Sequence, residues 1–180
     1  MLHLYHGNGK GKTTAAMGLA LRMLGAGLLV CVVQFLKDGS SGEARMIGGL
    51  PRATLLHDAP PVRFTFAMSE DERAASRREH DANLREALCW LEGHRVAGEG
   101  CLLVLDEALD ALGAGLLDEG LVREVVGRCA GACGPADPEA VLTGRDPAPF
   151  LLEAADYVTE MRCVRHPYER GVGAREGVEY

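Results

Sequence analysis

The chain has 180 residues, of which 26 are acidic and 19 are basic, so its formal net charge at pH 7 is -7. Hydrophobic residues make up 47% of the sequence and charged residues 25%. This balance is typical of a globular protein that can bury a core within one domain. The lysine and arginine residues form no basic stripe, which argues against nucleic acid as a partner. A nucleotide would therefore have to be attracted by a local positive site.

The cysteines and the first residues of the chain predict a reducing, cytoplasmic location. Four of the six cysteines fall in apolar patterns and are expected in the core: Cys31, Cys89, Cys101 and Cys163. Cys129 and Cys133 have no second pair at a metal-binding spacing, so they are also interpreted as structural thiols. Met1 leads directly into an apolar run, without the basic segment or long apolar stretch that would indicate export or membrane anchoring.

The glycine-rich stretch from His6 to Thr14 is the first sign of chemistry in the sequence. It follows an apolar run at Leu2–Tyr5, which predicts a strand, and it opens a helical pattern. In this context a Gly-Lys-Thr triplet forms a phosphate-binding loop. Backbone N–H groups and the start of the helix attract phosphate, Lys12 adds a full charge, and Thr13 offers a hydroxyl to Mg²⁺. A histidine begins the stretch where the usual pattern has glycine, and a turn without any ligand is the alternative.

Further apolar runs predict more strands of a parallel sheet. Leu28–Phe35 has the continuous apolar character of a strand that is covered on both faces. Gln34 is polar at its carboxyl end, where such a sheet opens towards a ligand. The glycine-rich segment Lys37–Glu43 is long enough to be a functional loop. Ala53–His57 predicts another short strand.

A long helix is predicted after this strand. Ser69 and Glu72 have the spacing of a capping box, so the helix begins there and runs to about Gly93 or beyond. His80 and His94 fall on this helix and are interpreted as solvated surface residues and not as ligands.

Adjacent carboxylates at Asp106 and Glu107 follow the buried run Cys101–Leu105. This pattern predicts a strand that delivers acidic side chains to the carboxyl edge of the sheet. In phosphate-loop proteins the carboxylate that holds Mg²⁺ lies at this place. An acidic helix start is the alternative, but the pairing with the Lys12 loop favours a metal site.

The last third of the chain continues the alternation of strands and helices. Asp118 is expected to cap a helix that runs to Cys129, and Ala140–Thr143 predicts a strand that ends in Gly144 and Arg145. The remaining predicted elements are a short helix over Phe150–Ala155, a strand over Tyr157–Met161 and an ordered tail over His166–Tyr180.

Strands that alternate with helices predict a single-domain α/β fold, with a mostly parallel central sheet flanked by helices. Ligands bind at the carboxyl ends of the strands in such sheets. The residues predict a Mg²⁺–ATP or Mg²⁺–GTP protein, and the absence of an Asn-Lys-x-Asp motif favours ATP. They leave open what attacks the nucleotide. A small-molecule kinase on a P-loop fold and a binding protein without turnover are the alternatives.

Several blocks of the sequence resemble the P-loop ATP:corrinoid adenosyltransferases of the cobalamin pathway, also called cob(I)yrinic acid a,c-diamide adenosyltransferases. The blocks follow the order of that family and are Gly7–Ala16, Val33–Lys37, Val104–Glu107, Leu142–Arg145, Val158–Met161 and the tail from His166 to Tyr180. The glycine loop alone is a common motif, whereas the Thr-Gly-Arg block and the tail together are specific. The resemblance implies one adenosyltransferase domain over residues 1–180, with an ordered C-terminal tail over 165–180.

The resemblance implies that ATP gives its 5′-deoxyadenosyl group to the Co(I) of a corrinoid, either cobalamin or cob(I)yrinic acid a,c-diamide, while triphosphate leaves. Catalysis would then involve Lys12, Thr13, Glu107 and Arg145, and Mg²⁺ would be held by Thr13, Asp106 and Glu107. The residues expected to bind the nucleotide are Gly7, Asn8, Gly9, Lys10, Gly11, Lys12, Thr13, Thr14 and Arg22. Because Co(I) brings its own electron pair, catalysis consists of positioning and of stabilising the leaving-group charge.

The corrinoid would contact an aromatic segment before the long helix, which assigns Phe64 and Phe66 to its lower face. A place in the core is the alternative for both residues, and Phe66 stands where the family commonly has tryptophan. Leu109 replaces a small polar residue, and longer family members carry an N-terminal extension. These departures bear on corrinoid affinity more than on nucleotide binding. The resemblance further implies a homodimer, a flavoprotein that reduces cobalt, and no nucleic-acid or membrane partner.

Overall fold

Strands and helices alternate along the chain in the computed structural model, which describes residues 1–59, 65–134 and 136–178. The described strands are β1 (Leu2–His6), β2 (Leu29–Gln34), β3 (Ala53–His57), β4 (Cys101–Asp106), β5 (Glu139–Thr143) and β6 (Tyr157–Glu160). The described helices are α1 (Lys12–Gly25), α2 (Gly42–Gly48), α3 (Glu70–Ala97), α4 (Ala108–Gly113), α5 (Glu119–Cys129) and α6 (Pro149–Ala154). Short 3₁₀ turns cover Thr65–Ala67 and Pro167–Arg170.

The strands form one sheet in the order β3-β2-β4-β5-β1-β6, and its strand pairs are parallel. This arrangement confirms the predicted α/β fold class. The register pairs Gln34 with Asp106 and Tyr5 with Thr143, so the carboxyl ends of β2, β4, β5 and β1 meet at one edge. The end of β5 lies between Asp106 and the glycine loop after β1.

Helices cover both faces of the sheet, and each face has its own apolar core. Ala16, Met17 and Ala20 of α1 pack with Ile47 of α2 against one face. Helices α3, α4, α5 and α6 cover the other face, where Leu84 and Leu91 of α3 are fully buried. Because β2 and β4 are covered on both sides, they are almost continuously apolar, whereas β1 alternates and β6 is exposed. Among the described residues, no helix is both long and apolar enough to cross a membrane.

The predicted helix starts are confirmed by their caps. Ser69 Oγ accepts from the N–H of Glu72 at 3.3 Å, and Glu72 Oε2 accepts from the N–H of Ser69 at 2.8 Å. This reciprocal pair starts α3, which ends at Gly98 in the left-handed conformation. Asp118 Oδ1 likewise accepts from the N–H of Leu121 at 3.2 Å and starts α5.

The glycine-rich segment after β2 is shorter than predicted because a helix begins within it. Ser41 Oγ accepts from the N–H of Ala44 at 3.4 Å and caps α2, which the sequence analysis did not predict. A second short helix, α4, starts immediately after Glu107, where an acidic helix start was the alternative interpretation.

The cysteine predictions are correct only in part. Cys31 and Cys101 are buried as predicted, whereas Cys89 is exposed and Cys163 is intermediate. Cys89 lies on α3 next to buried Leu88, and its own face of the helix points to solvent. Cys129 is buried at the end of α5, and burial raises the pKa of its thiol to about 12, so it remains protonated at neutral pH.

Candidate active site

The glycine loop between β1 and α1 packs directly against the backbone that leaves β6. A Cβ atom at Gly7 would lie 2.5 Å from the carbonyl oxygen of Met161, and one at Gly9 would lie 2.7 Å from it. Gly7 and Gly11 also have φ angles of 106° and 111°, which side chains rarely permit. The N–H of Gly9 donates to the Met161 carbonyl at 2.7 Å. The loop therefore requires glycine for its shape as well as for the approach of phosphate.

The start of α1 remains open for an anion. Gly11 is the N-cap and offers no side-chain cap to the first N–H groups of the helix. Lys12 Nζ reaches back over the loop and donates to the carbonyl of Gly9 at 2.8 Å. An uncapped helix start beside a lysine ammonium is the arrangement that binds phosphate in proteins.

Two contacts hold the rim of this loop. Asn8 Oδ1 accepts from the N–H of Cys163 at 2.8 Å, which ties the loop to the segment after β6. Lys10 Nζ donates to the carbonyl of Val178, so the described part of the C-terminal tail reaches the loop. Thr14 is exposed on the first turn of α1.

Asp106 is the buried centre of the site, and its carboxylate accepts from side chains of four different segments. Thr13 Oγ1 and Thr143 Oγ1 both donate to Asp106 Oδ1 at 2.8 Å. Gln34 Nε2 at 3.2 Å and Lys37 Nζ at 2.7 Å donate to Asp106 Oδ2. Asp106 itself is 0% exposed. The structure therefore joins Thr13 of the phosphate loop to the carboxylate predicted at the end of β4.

Glu107 follows Asp106 with a φ angle of 61° and occupies the N-cap position of α4. Its N–H donates to Thr143 Oγ1 at 2.9 Å, and its Oε1 lies 3.5 Å from Lys37 Nζ. Burial raises the pKa of Glu107 and the nearby Asp106 charge adds to this effect, although Lys37 opposes it. Burial lowers the pKa of Lys37, but the charge and hydrogen bond of Asp106 outweigh it and raise the pKa above its ordinary value.

Lys37 and Thr143 were not identified as site residues from the sequence. Both are polar residues at or just beyond the carboxyl end of a buried strand, like Gln34. Their shared contact with Asp106 depends on the strand order, which places β2 and β5 on either side of β4.

Gly144 and Arg145 bring the end of β5 against both α4 and the phosphate loop. A Cβ atom at Gly144, whose φ angle is 149°, would lie 2.5 Å from Leu109 Cβ and 2.7 Å from Asp110 Oδ2. The N–H of Arg145 donates to Asp110 Oδ2 at 3.0 Å, and its carbonyl accepts from the N–H of Gly7 at 3.0 Å. The Arg145 side chain is 72% exposed beside the loop. Leu109 is buried and belongs to the core on this face of the sheet.

The remaining predicted site residues lie outside this cluster. Arg22 is exposed in the last turn of α1. It lies about 15 Å along the helix from Lys12 at the usual rise per residue. Phe66 lies on the 3₁₀ turn and is 87% exposed, which excludes the core alternative for this residue. Phe64 lies outside the described residues.

Within the part of the chain that the structure describes, no three His, Cys, Asp or Glu side chains are grouped to hold a metal by themselves. The candidate cation site instead combines the Thr13 hydroxyl with the acidic pair at the end of β4. Mg²⁺ sites of this type take few protein ligands and complete their coordination with water and substrate phosphates.

His80 corrects the prediction for the α3 histidines. It is 0% exposed, with Nδ1 2.7 Å from the carbonyl oxygen of Leu116 and Nε2 2.9 Å from Asp58 Oδ2. The prediction failed because α3 packs with its His80 face against the sheet. His94, near the end of α3, is partly exposed and pairs with Glu99 at 2.6 Å.

Comparisons with known proteins point to one family. A sequence model of the family described as ATP:corrinoid adenosyltransferase BtuR/CobO/CobP matches residues 1–180. A corrinoid adenosyltransferase of Pseudomonas aeruginosa is 35% identical over 182 residues, which cover 100% of this chain and 83% of that protein. The corrinoid adenosyltransferase CobA of Salmonella typhimurium is 32% identical over 180 residues, covering 98% and 84% of the two chains. A corrinoid adenosyltransferase of Escherichia coli is 32% identical with the same coverage.

Proposed function

Because this chain belongs to the ATP:corrinoid adenosyltransferase family, we propose that it transfers the 5′-deoxyadenosyl group of ATP to the Co(I) of a corrinoid and releases triphosphate. The single observation that carries this proposal is the Asp106 cluster. It joins the phosphate loop, through Thr13, to the ends of β2 and β5. A kinase on the same fold is the less favoured reading, since the relatives named above are adenosyltransferases.

The triphosphate would be held by the loop over Gly7–Thr14 and by the start of α1. Its negative charge would meet Lys12 directly, and Lys12 would exchange its bond to the Gly9 carbonyl for phosphate oxygen. Arg145 lies beside Gly7, with its side chain exposed and its guanidinium 4.0 Å from Asp110 Oδ1, and would turn from this partner towards the phosphates. Asn8, Lys10 and Thr14 form the rim of this site, and Arg22 is assigned to the nucleotide on the family resemblance alone.

The residues at the candidate cation site fit Mg²⁺, because they offer hard oxygen ligands. The Thr13 hydroxyl donates its hydrogen to Asp106 Oδ1, which leaves its lone pairs free for a cation. The Glu107 carboxylate, from the residue after Asp106, is partly exposed and lies 3.5 Å from Lys37 Nζ. Asp106 accepts four side-chain hydrogen bonds, so we assign it to orienting Thr13, while Thr13 and Glu107 are the direct ligands. Mg²⁺ bound there would neutralise charge on the departing triphosphate.

The reaction forms a cobalt–carbon bond at the 5′ carbon of ATP and breaks the bond from that carbon to the α-phosphate oxygen. The electron pair of Co(I) makes the new bond, and the pair of the broken bond leaves on the triphosphate. The protein therefore has to align the 5′ carbon and stabilise the charge that develops on the phosphates. Lys12, Arg145 and the Lys37 ammonium beside Asp106 supply the positive charge for this purpose.

The corrinoid is assigned to the aromatic segment that precedes α3. Phe66 is exposed on the 3₁₀ turn and offers an apolar face for a flat ring. Phe64 is assigned to the same surface from the resemblance.

We also propose that the chain acts in the cytoplasm as one domain over residues 1–180 and forms a homodimer. We further propose that a flavoprotein supplies electrons to cobalt. Light scattering tests the homodimer, and reconstitution with a reductase tests the flavoprotein.

One experiment tests the activity. The protein is mixed with ATP, Mg²⁺ and a chemically reduced Co(I) corrinoid, and formation of the cobalt–carbon bond is followed in the visible spectrum. The expected products are the adenosylated corrinoid and inorganic triphosphate in equal amounts. Release of ADP without a spectral change would support the kinase and overturn the proposal.

A further inference from the structure

His80 lies between two hydrogen-bond acceptors. Its Nδ1 lies 2.7 Å from the carbonyl oxygen of Leu116, and its Nε2 lies 2.9 Å from Asp58 Oδ2. A carbonyl and a carboxylate only accept, so a doubly protonated ring satisfies both, while the Ser76 hydroxyl is a longer contact of Nε2 at 3.4 Å. The Phe35 ring packs edge-on at 5.4 Å, and the imidazole is 0% exposed. The imidazolium is the form of this buried ring that donates to both acceptors.

Asp58 is the buried acidic partner of this ring. The Asp58 residue is 4% exposed, and its second oxygen, Oδ1, is buried without a hydrogen-bond partner among the described residues. An uncompensated buried carboxylate is costly, and the pair with His80 offsets that cost.

The surrounding face of α3 fastens the chain where it leaves β3. Glu79 Oε1 accepts from the N–H of Ala59 at 2.6 Å, and Asn83 Nδ2 donates to the carbonyl of His57 at 3.3 Å. Together with the His80–Asp58 pair, these contacts fix residues 57–59, which we call the β3 exit.

The β3 exit in turn carries Lys37. The N–H of Asp58 donates to the carbonyl of Lys37 at 3.0 Å. Gly39 packs so closely on the His57 ring that a Cβ atom would lie 2.5 Å from its Cδ2. From this support the Lys37 ammonium extends to Asp106 at 2.7 Å. A continuous series of contacts thus leads from His80 to the carboxylate that orients Thr13.

We propose that His80 is a positioning residue for the nucleotide site: its imidazolium holds Asp58 and the β3 exit, and thereby places the Lys37 ammonium beside Asp106. His80 touches neither substrate in this assignment and acts only through Lys37. The inference rests on the proposed function only in taking Mg²⁺–ATP as the ligand of the site.

The proposal predicts an alkaline loss of ATP affinity. Burial lowers the pKa of His80, but the hydrogen bond and charge of Asp58, with the Leu116 carbonyl and Glu79, outweigh it and raise the pKa above its ordinary value. The His80–Asp58 pair therefore makes its full contribution to stability when the pH is below the pKa of histidine in the unfolded chain. This contribution is lost as the pH rises through the raised pKa of His80 in the folded protein. The other titratable or charged groups around the pair are Glu79, Arg77 and Asp81 on α3, His57 and Lys37 on the strand exits, and Asp118 before α5.

Asp58→Asn is the decisive variant. An asparagine amide can donate to Nε2 of a neutral imidazole, whose Nδ1–H still donates to Leu116, so the geometry survives without the charge. Calorimetric titration with Mg²⁺–ATP from about pH 6 to about pH 9 covers the histidine range. The affinity of the wild-type protein for Mg²⁺–ATP is expected to fall about three- to tenfold over the alkaline part of this pH range, whereas the affinity of Asp58→Asn stays constant. His80→Gln weakens binding at every pH, and the matched control His94→Gln keeps the wild-type profile.

Two further measurements keep the inference testable if a variant does not fold. Nitrogen NMR of wild-type His80 at neutral pH should show both ring nitrogens protonated, and a neutral ring would overturn the proposal. In a Lys37→Met background, Asp58→Asn should have no further effect on the pH profile, and an undiminished effect would show that the pair does not act through Lys37. Failure of adenosyl transfer by the wild type would instead overturn the proposed function and leave the His80 measurements in place.

Discussion

The nucleotide edge of the sheet and the aromatic turn over Thr65–Ala67 differ in how they are built. At the nucleotide edge, Asp106 is 0% exposed and accepts from four side chains. On the turn, Phe66 is 87% exposed. The first region is preorganised by buried strand ends, whereas the second presents apolar surface to solvent.

This difference predicts that changes in the two regions affect the use of different substrates. Changes at the nucleotide edge remove charge from a fixed network, so they should affect chemistry, metal use and stability together. Changes on the turn remove apolar surface that the free protein exposes, so they should affect corrinoid binding with little effect on folding. The following variants test this separation, from the largest expected effect to the smallest.

Lys12→Ala should abolish turnover, with a loss of at least about a thousandfold, because it removes the main positive charge that faces the leaving triphosphate. The folded state loses the bond from Lys12 Nζ to the Gly9 carbonyl, which lowers the melting temperature by about 2–4 °C. The rate of cobalt–carbon bond formation at saturating ATP and a thermal melt measure the two effects. Normal turnover in this variant would remove the phosphate-loop assignment.

Glu107→Gln should lower the rate about ten- to a hundredfold and raise the Mg²⁺ concentration needed for half-maximal activity, because an amide is a poorer ligand for a hard cation. The backbone bond to Thr143 Oγ1 does not depend on the side chain and is retained. A Mg²⁺ titration of the rate measures the effect, with Glu99→Gln as a control beside His94. An unchanged Mg²⁺ dependence would leave Glu107 with a structural role only.

Lys37→Met should weaken Mg²⁺–ATP binding about three- to tenfold and cost about 1–2 kcal/mol of stability, since Asp106 loses its only ion-paired ammonium among the described contacts. Lys37→Arg keeps the charge and should recover most of the loss. Calorimetry and chemical denaturation measure the two quantities. If the variant is less stable but binds ATP with wild-type affinity, the role of Lys37 is limited to compensating the buried charge of Asp106.

The sequence predicted those parts of the site whose signal is local. The glycine loop, the Asp106–Glu107 pair and the Ser69 cap each combine spacing with residue type within a few positions, and all three lie where they were expected. Lys37 could not be assigned in this way, because its role depends on β2 lying next to β4. His80 and His94 share one helix, and only the packing of α3 against the β3 exit distinguishes the buried ring from the exposed one.

Phe66→Ala gives the smallest and most selective effect. The side chain is 87% exposed, so its removal should change the free energy of unfolding by less than about 0.5 kcal/mol. Corrinoid affinity should fall about three- to tenfold because the apolar wall beneath the ring is lost, while ATP affinity stays at the wild-type value. Phe66→Trp should preserve or improve corrinoid use, since the larger ring extends the same face. Paired titrations with ATP and with Co(II) corrinoid, the latter read from the cobalt spectrum, measure both affinities. Wild-type corrinoid binding by a folded Phe66→Ala protein would move the corrinoid site away from the turn, to another part of the carboxyl edge of the sheet.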